Sequence, residues 1–318
     1  MISLTTLQIL RDAFGERLQA NIPLKRFTAA RIGGDADAMI TADSSEELAE
    51  TAKLLWKLEI PFIILGSGSN VLISDAGVRQ VVVLNRAKQI RFNTHTQSHT
   101  VWVESGANLG ALARRAAAKG LTGLEWAAGI PGTVGGAIVG NAGAHDGDMS
   151  GNLVMAEILH LNQIDHAGHH DISQEKWPVE RFVYEYRSSI IKHEPGRVVV
   201  LSAELKLALS TPELVRVKME DYKTMRHNSQ PSGASLGSIF KNPAGDHAGR
   251  LLEAAGLKGT VIGKVEISRT HANFFINHEN ATASDYKALI SLAQEKVMEK
   301  YGVSLEPEIE FLGDWSGQ

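Results

Sequence analysis

Pro61-Phe62-Ile63-Ile64-Leu65-Gly66-Ser67-Gly68-Ser69-Asn70 decides how this chain is read. The apolar run has the character of a buried strand, and it delivers the chain straight into a loop of glycine and serine. Upstream, Ala38-Met39-Ile40 reads as a short strand. Ser44-Ser45-Glu46-Glu47 reads as a helix start, with acids at the positive end of the dipole, and that helix is predicted to run to about Leu58. Strand, helix, strand, glycine loop is a βαβ-like period. In such a loop successive main-chain N–H groups can face one concavity and bind an anion, while small side chains leave room for a pyrophosphate. The loop is not a dinucleotide fingerprint, because the third glycine of G-x-G-x-x-G would fall at Val71, and no P-loop lysine motif occurs. A tight turn between two strands accounts for the pentapeptide equally well.

Working outward, leucines at 4, 7, 10 and 18 predict an amphipathic helix over residues 3–20. From Val81 onward short strands are expected at 81–84, 90–92 and 101–104, then an alanine-rich helix over 108–119 ending at Gly120. Longer strands are expected near 155–162 and 198–209. Thr211-Pro212-Glu213 opens a helix through Thr224, followed by a helix at 247–255, a strand-like segment at 273–277 and a long helix from about Ser284 to Tyr301.

Composition excludes several classes. The chain has 318 residues, a net charge of −4 and no cysteine. That leaves room for two or three domains, no disulfide framework and no thiolate metal site. There is no basic excess to recruit nucleic acid, no apolar run long enough to span a bilayer, and no basic-then-apolar secretory start. A cytoplasmic protein with no membrane or nucleic-acid partner is the expectation. His166, His169 and His170, beside Gly168 and two aspartates, read as a solvated hairpin turn and not as a metal site.

Between Gly129 and Gly143 stand six glycines, including those of Gly129-Ile130-Pro131-Gly132-Thr133-Val134-Gly135-Gly136. Glycine inside a regular element costs about 0.5–1 kcal/mol relative to alanine, so the cluster points to backbone passing close to a large flat ligand. Close element packing is the competing explanation. Gly233-Ala234-Ser235-Leu236-Gly237 matches the G-x-S-x-G nucleophile elbow, but its flanks suit neither the strand before nor the helix after that the elbow requires. The following Ser238-Ile239-Phe240-Lys241-Asn242-Pro243 sets a hydroxyl just before an aromatic, a cation and an amide. Tyr186-Arg187-Ser188-Ser189 carries a fixed cation whose planar fork matches a carboxylate. In Leu305-Glu306-Pro307-Glu308-Ile309-Glu310, alternation places Glu306, Glu308 and Glu310 on one face.

In this order, together with Arg31-Ile32-Gly33-Gly34, Asn141-Ala142-Gly143-Ala144 and His271-Ala272-Asn273-Phe274, these motifs resemble the UDP-N-acetylenolpyruvoylglucosamine reductase family of peptidoglycan precursor synthesis. The resemblance spans Asn21 to Gly313. It implies an α+β chain, with a two-subdomain FAD-binding fold of the vanillyl-alcohol-oxidase/PCMH type and a smaller α+β substrate-binding domain. The implied divisions are 1–84 and 85–210 for FAD, with 303–318 returning to the second, and 211–302 for substrate. It implies non-covalent FAD held by Gly66, Ser67, Gly68, Ser69 and Asn70 and by Gly129, Pro131, Gly132, Thr133, Gly135 and Gly136. NADPH would give hydride to FAD, which passes it to UDP-N-acetylglucosamine enolpyruvate in a ping-pong cycle yielding UDP-N-acetylmuramate.

The same resemblance assigns roles. Ser238 matches the proton donor to carbon, Arg187 the contact to the substrate carboxylate, and Glu308 the group that assists the enol form. Asn242, Lys223 and Arg226 would contact the sugar nucleotide. Larger family members carry a substrate-covering tyrosine segment between the arginine motif and the serine loop. Here that interval offers only Tyr222, so the chain looks like the shorter subtype. A different FAD-dependent oxidoreductase on the same scaffold would explain the glycine tracts but not Ser238, Asn242, Arg187 and Glu308 together. A binding module without chemistry would tolerate loss of Ser238.

Overall fold

The computed structural model describes residues 2–94, 99–164 and 170–316. His166 and His169 of the predicted turn lie outside them, as does the side chain of His170. The described chain is mixed α+β and forms two compact units, one of Met1–Met39, Ser67–Gln80 and Arg226–Gln318, the other of Ile40–Gly66 and Val81–Met225.

In the first unit, helix Leu4–Phe14 starts where Ser3 Oγ accepts from Thr6 N at 3.0 Å. It stops at Gly15, which takes φ +53°, and Leu18 already lies in strand Leu18–Pro23. The predicted helix over 3–20 therefore ends early, and only Leu10 of its four leucines is buried. Strands Val261–Ile262, Val265–Ile267 and Phe275–Asn277 form an antiparallel meander. Helices Ala248–Ala254 and Ala283–Tyr301 cover it. The longer helix is fixed at both ends, by a capping box between Thr282 and Asp285 and by Gly302 in the left-handed region. Leu251, Leu252, Phe275, Tyr286, Leu289 and Ile290 form its core with Ile239, Phe240, Leu305 and Ile309. Residues 303–318 belong to this unit, and strand Glu310–Leu312 pairs in parallel with Val71–Ile73. That differs from the expected return to residues 85–210. Parallel partners are joined by long crossovers, and nothing local in a three-residue strand names its partner.

In the second unit, helix Ser45–Lys57 begins as predicted, with Ser44 Oγ accepting from Glu47 N at 3.1 Å. Strand Phe62–Leu65 pairs in parallel with residues 81–84. An antiparallel sheet follows in the order His170–Pro178, Leu153–Ile164, Val198–Leu209, His99–Glu104, Ile90–Asn93. Helix Leu109–Ala118 packs with it, capped by Asn108 Oδ1, which accepts from Ala111 N at 2.8 Å. Two elements have no clear signal in the sequence. Strand His170–Pro178 is polar and owes its form to pairing with Leu153–Ile164. Helix Val134–Gly140 is glycine-rich, yet Thr133 caps it and buried Val134, Ala137 and Ile138 anchor it.

One buried group in this core makes a stability prediction. The ring of Tyr184 stacks on Phe182, with centroids 5.4 Å apart, and its hydroxyl is buried without a hydrogen-bond partner among the described residues. Burial, aided by the nearby Asp148 charge, pushes its ionisation far up, so it stays neutral. An unsatisfied buried hydroxyl costs about 1–3 kcal/mol, so Tyr184→Phe should leave thermal stability unchanged or raise it. A clear drop in the melting midpoint would show that the hydroxyl is satisfied by water.

Candidate active site

The serine segment lies between two extended stretches of the first unit. Ala234 and Ser238 bridge to Asn277 and Phe274 on one side, and Phe240 bridges to Pro307 on the other. Glu308 N donates to Ile239 O at 2.7 Å and Lys241 N to Glu306 O at 2.9 Å. This register sets Glu308 across from Ile239, the residue after Ser238. The Ser238 hydroxyl is half-buried and has no protein hydrogen-bond partner among the described residues, so it is available to a ligand. Between Ser229 and Ala248 there is no strand before Ser235 and no helix directly after it, as the rejection of the nucleophile elbow requires.

The three acids of the following stretch separate in role. Leu305 and Ile309 are buried, as alternation predicts. Glu306 is exposed and paired with Lys241 Nζ at 2.6 Å. Glu308 is half-buried, and its carbonyl accepts from Asn70 Nδ2 at 3.1 Å. Asn70 O in turn accepts from Glu310 N at 2.8 Å. The amide at the end of the glycine loop therefore fastens the backbone that carries Glu308.

Arg187 belongs to the second unit and occupies the tip of a tight turn. Glu185 and Ser188 exchange two main-chain bonds at 3.1 and 3.2 Å. Arg187 itself has φ +56°, a left-handed conformation that is strained for a side chain of this kind. Its Nη2 donates to Gly143 O at 2.9 Å, and its guanidinium lies 5.1 Å from the Tyr186 ring centre. Two further bonds strap the turn to the end of the glycine-rich helix. Asn141 Nδ2 donates to Glu185 O at 3.0 Å, and Ser189 Oγ donates to Val139 O at 2.6 Å. Asn141, Gly143, Arg187 and Ser189, from two motifs some 40 residues apart, thus form one construction.

Gly66 and Thr133, both in the second unit, pack against each other. A Cβ on Gly66 would come within 2.6 Å of Thr133 Oγ1. Gly68, at φ +59°, packs so closely on the chain at Phe27 that a Cβ would overlap its carbonyl oxygen. Close packing therefore accounts for these two glycines, a reason different from the tight turn set against the anion loop in the sequence. Gly136 is different: it is exposed, and a Cβ there would meet nothing nearer than 3.6 Å. Among the described residues, the N–H groups of Ser67, Gly68, Asn70, Gly132 and Thr133 have no protein acceptor.

Residues 229–312 match the profile of the UDP-N-acetylenolpyruvoylglucosamine reductase C-terminal domain, and residues 36–169 that of an FAD binding domain. UDP-N-acetylenolpyruvoylglucosamine reductase of Rubrobacter xylanophilus is 40% identical over 292 residues, covering 92% of this chain and 94% of its own. The chain belongs to the UDP-N-acetylenolpyruvoylglucosamine reductase family. The Bacillus subtilis reductase is 38% identical over 309 residues, covering 96% of this chain and 98% of its own. The crystal structure of the Thermus caldophilus reductase superposes with a TM-score of 0.75 at 33% identity, covering 93% of this chain and 99% of that one.

A reductase of this family is an FAD-dependent oxidoreductase, and the residues present fit the cofactor. Within the first unit, the unpaired N–H groups of Ser67, Gly68 and Asn70 suit a pyrophosphate; within the second, those of Gly132 and Thr133 and the open face at Gly136 suit a flat polar ligand. Ser69 and Pro131 lie within these tracts; Gly135 N is already committed to Ser105 O at 2.7 Å.

The expected sugar-nucleotide contacts are scattered. Asn242 Oδ1 accepts from Ala248 N, the first N–H of helix Ala248–Ala254, at 3.1 Å, and its Nδ2 is left to donate to a ligand. Lys223 is exposed on helix Pro212–Ser229, 3.4 Å from Glu220. Arg226, near the end of that helix, is half-buried without an ion pair among the described residues, and burial lowers its pKa. Tyr222 stacks flat on His145, with ring centres 4.2 Å apart. Both line a cavity of about 480 Å³ together with Trp126, Lys206 and Lys218. His145, Lys206 and Lys218 carried no signal in the sequence, because isolated lysines and histidines have no spacing to read.

Proposed function

We propose that this reductase converts UDP-N-acetylglucosamine enolpyruvate to UDP-N-acetylmuramate with NADPH as reductant, in the cytoplasm. The product serves peptidoglycan synthesis, and through it cell-wall biogenesis, cell shape and division. The observation that carries the chemistry is the Ser238 hydroxyl, free of protein partners on a segment pinned beside Glu308.

When bound, FAD would supply the two-electron redox chemistry between NADPH and the enolpyruvyl group. Addition at the terminal vinyl carbon leaves negative charge on the adjacent carbon, delocalised into the carboxylate. The Arg187 fork holds that carboxylate and stabilises the charge as it grows. Glu308 assists the enol form. Ser238 Oγ gives its proton to the carbon; a serine is a weak acid, but an enolate carbon is basic enough to take the proton when the two are positioned. Asn242, Lys223 and Arg226 contact the sugar nucleotide. The cavity at Tyr222 offers aromatic faces, but Lys206 and Lys218 share its lining with Glu125, Asp146 and Asp148, so its charge does not select a diphosphate.

An anaerobic visible spectrum tests this directly. NADPH should bleach the flavin, and UDP-N-acetylglucosamine enolpyruvate should restore the yellow colour stoichiometrically. Flavin that recovers only when oxygen is admitted would keep the cofactor and discard the substrate.

A further inference from the structure

We propose that Asn273 is a positioning residue for Ser238, acting through the main chain of Phe240; the inference rests on the proton-donor role just given to Ser238. The bridge between Phe240 and Pro307 is of the kind in which the bonds run from the neighbouring residues, Glu308 N to Ile239 O and Lys241 N to Glu306 O. Phe240's own N–H and C=O therefore point away from that stretch. On the other side the main-chain pairing is already used by Ile239 N, which donates to Asn273 O at 2.9 Å. The Asn273 side chain supplies what is missing. Its Oδ1 accepts from Phe240 N at 3.0 Å, and its Nδ2 donates to Phe240 O at 2.8 Å.

One buried asparagine, 3% exposed, thus makes three bonds to the two residues that follow Ser238. It acts as a one-residue strand, matching a peptide's donor and acceptor with an amide's acceptor and donor. Asn273 is itself held, since its N–H donates to His271 Nδ1 at 3.2 Å and the His271 ring sits against Phe274, centres 5.0 Å apart. Proton transfer to carbon tolerates little misplacement, and about 1 Å can cost 10²-fold in rate. Asn277 is a natural control. It is 8% exposed in the same unit and makes two side-chain bonds, to Ala30 O at 2.8 Å and from Ala281 N at 3.2 Å. Neither touches the serine segment, which Asn277 meets through its main chain, its N–H donating to Ala234 O at 2.9 Å, a bond that the alanine variant keeps.

The test uses the FAD-loaded enzyme and rapid mixing, comparing Asn273→Ala, Asn273→Ser and Asn277→Ala. Both Asn273 variants should be reduced by NADPH within twofold of the wild-type rate, but reoxidised by the enolpyruvyl substrate at least tenfold more slowly. Amide hydrogen exchange at Phe240 should be faster in both, with or without FAD. Asn277→Ala should leave reoxidation and Phe240 exchange near wild type. Reoxidation of either flavin-loaded Asn273 variant within twofold of wild type overturns the proposal. So does equal slowing in Asn277→Ala, which would make the effect one of general stability. If Asn273→Ala alone loses flavin, the reoxidation rate of Asn273→Ser decides; loss by both, without faster Phe240 exchange, also counts against the proposal. Wild-type flavin that the substrate fails to reoxidise would instead refute the assigned reaction, a result distinguishable from either.

Discussion

Ser238→Ala enzyme should bleach with NADPH at the wild-type rate and then stay bleached when the enolpyruvyl substrate is added. The substitution removes one hydroxyl that has no protein partner, so it breaks no internal hydrogen bond and should leave the fold and flavin content intact. What it removes is the only proton that the serine segment offers from that position. General acid catalysis of this kind contributes about 10²–10⁴-fold, and that is the expected slowing of reoxidation. Stopped-flow absorbance separates the two half-reactions. Reoxidation at the wild-type rate would mean that the proton comes from elsewhere, with Glu308 the next group to test.

Arg187→Gly should lower kcat/KM far more than it lowers thermal stability. At φ +56° the arginine occupies backbone space that costs a residue with a Cβ about 1–2 kcal/mol, and glycine relieves that strain. The variant loses the bond to Gly143 O, worth about 0.5–1.5 kcal/mol, and the contact with the Tyr186 ring, and the relieved strain offsets part of that loss. Activity has no such compensation. Leaving a substrate carboxylate without its charged partner costs about 2–5 kcal/mol. That corresponds to roughly 30- to 5,000-fold in kcat/KM. Arg187→Lys keeps the charge and the strain but loses the planar fork, and should fall between the two. Matched melting curves and steady-state kinetics on the three proteins decide the matter. A glycine variant that melts much lower would show that the arginine is there to hold the turn.

Asn141, Asn70 and Asn273 illustrate how the sequence was and was not informative. All three stand in the motifs that carried the family resemblance, and in the structure each bonds the main chain near one of the three groups assigned to the reaction. Asn70 ends the loop expected to bind an anion, and its side chain fastens the backbone that carries Glu308. A polar residue inside the apolar run Ala272-Asn273-Phe274-Phe275-Ile276 is a visible signal, because a buried amide has to find partners. The sequence offers no means of naming those partners, since Phe240 is 33 positions away.

Elements with local signals were legible to within a few residues. Helix Ala283–Tyr301 is written by Thr282, Asp285 and Gly302, and helix Leu109–Ala118 by Asn108 and Gly120. The helix predicted over 3–20 misled because leucine spacing continued past Gly15, where the backbone turns left-handed. By itself, then, the sequence determined the chemical groups, the family and most of the regular elements, because caps, periodicity and turn residues act within a turn or two of the chain. Only the tertiary structure decided the pairing of Glu310–Leu312 with Val71–Ile73, the formation of strand His170–Pro178, and the clamps on Ser238, Glu308 and Arg187. Those contacts close long loops, and closing them pays only when the whole core packs at once.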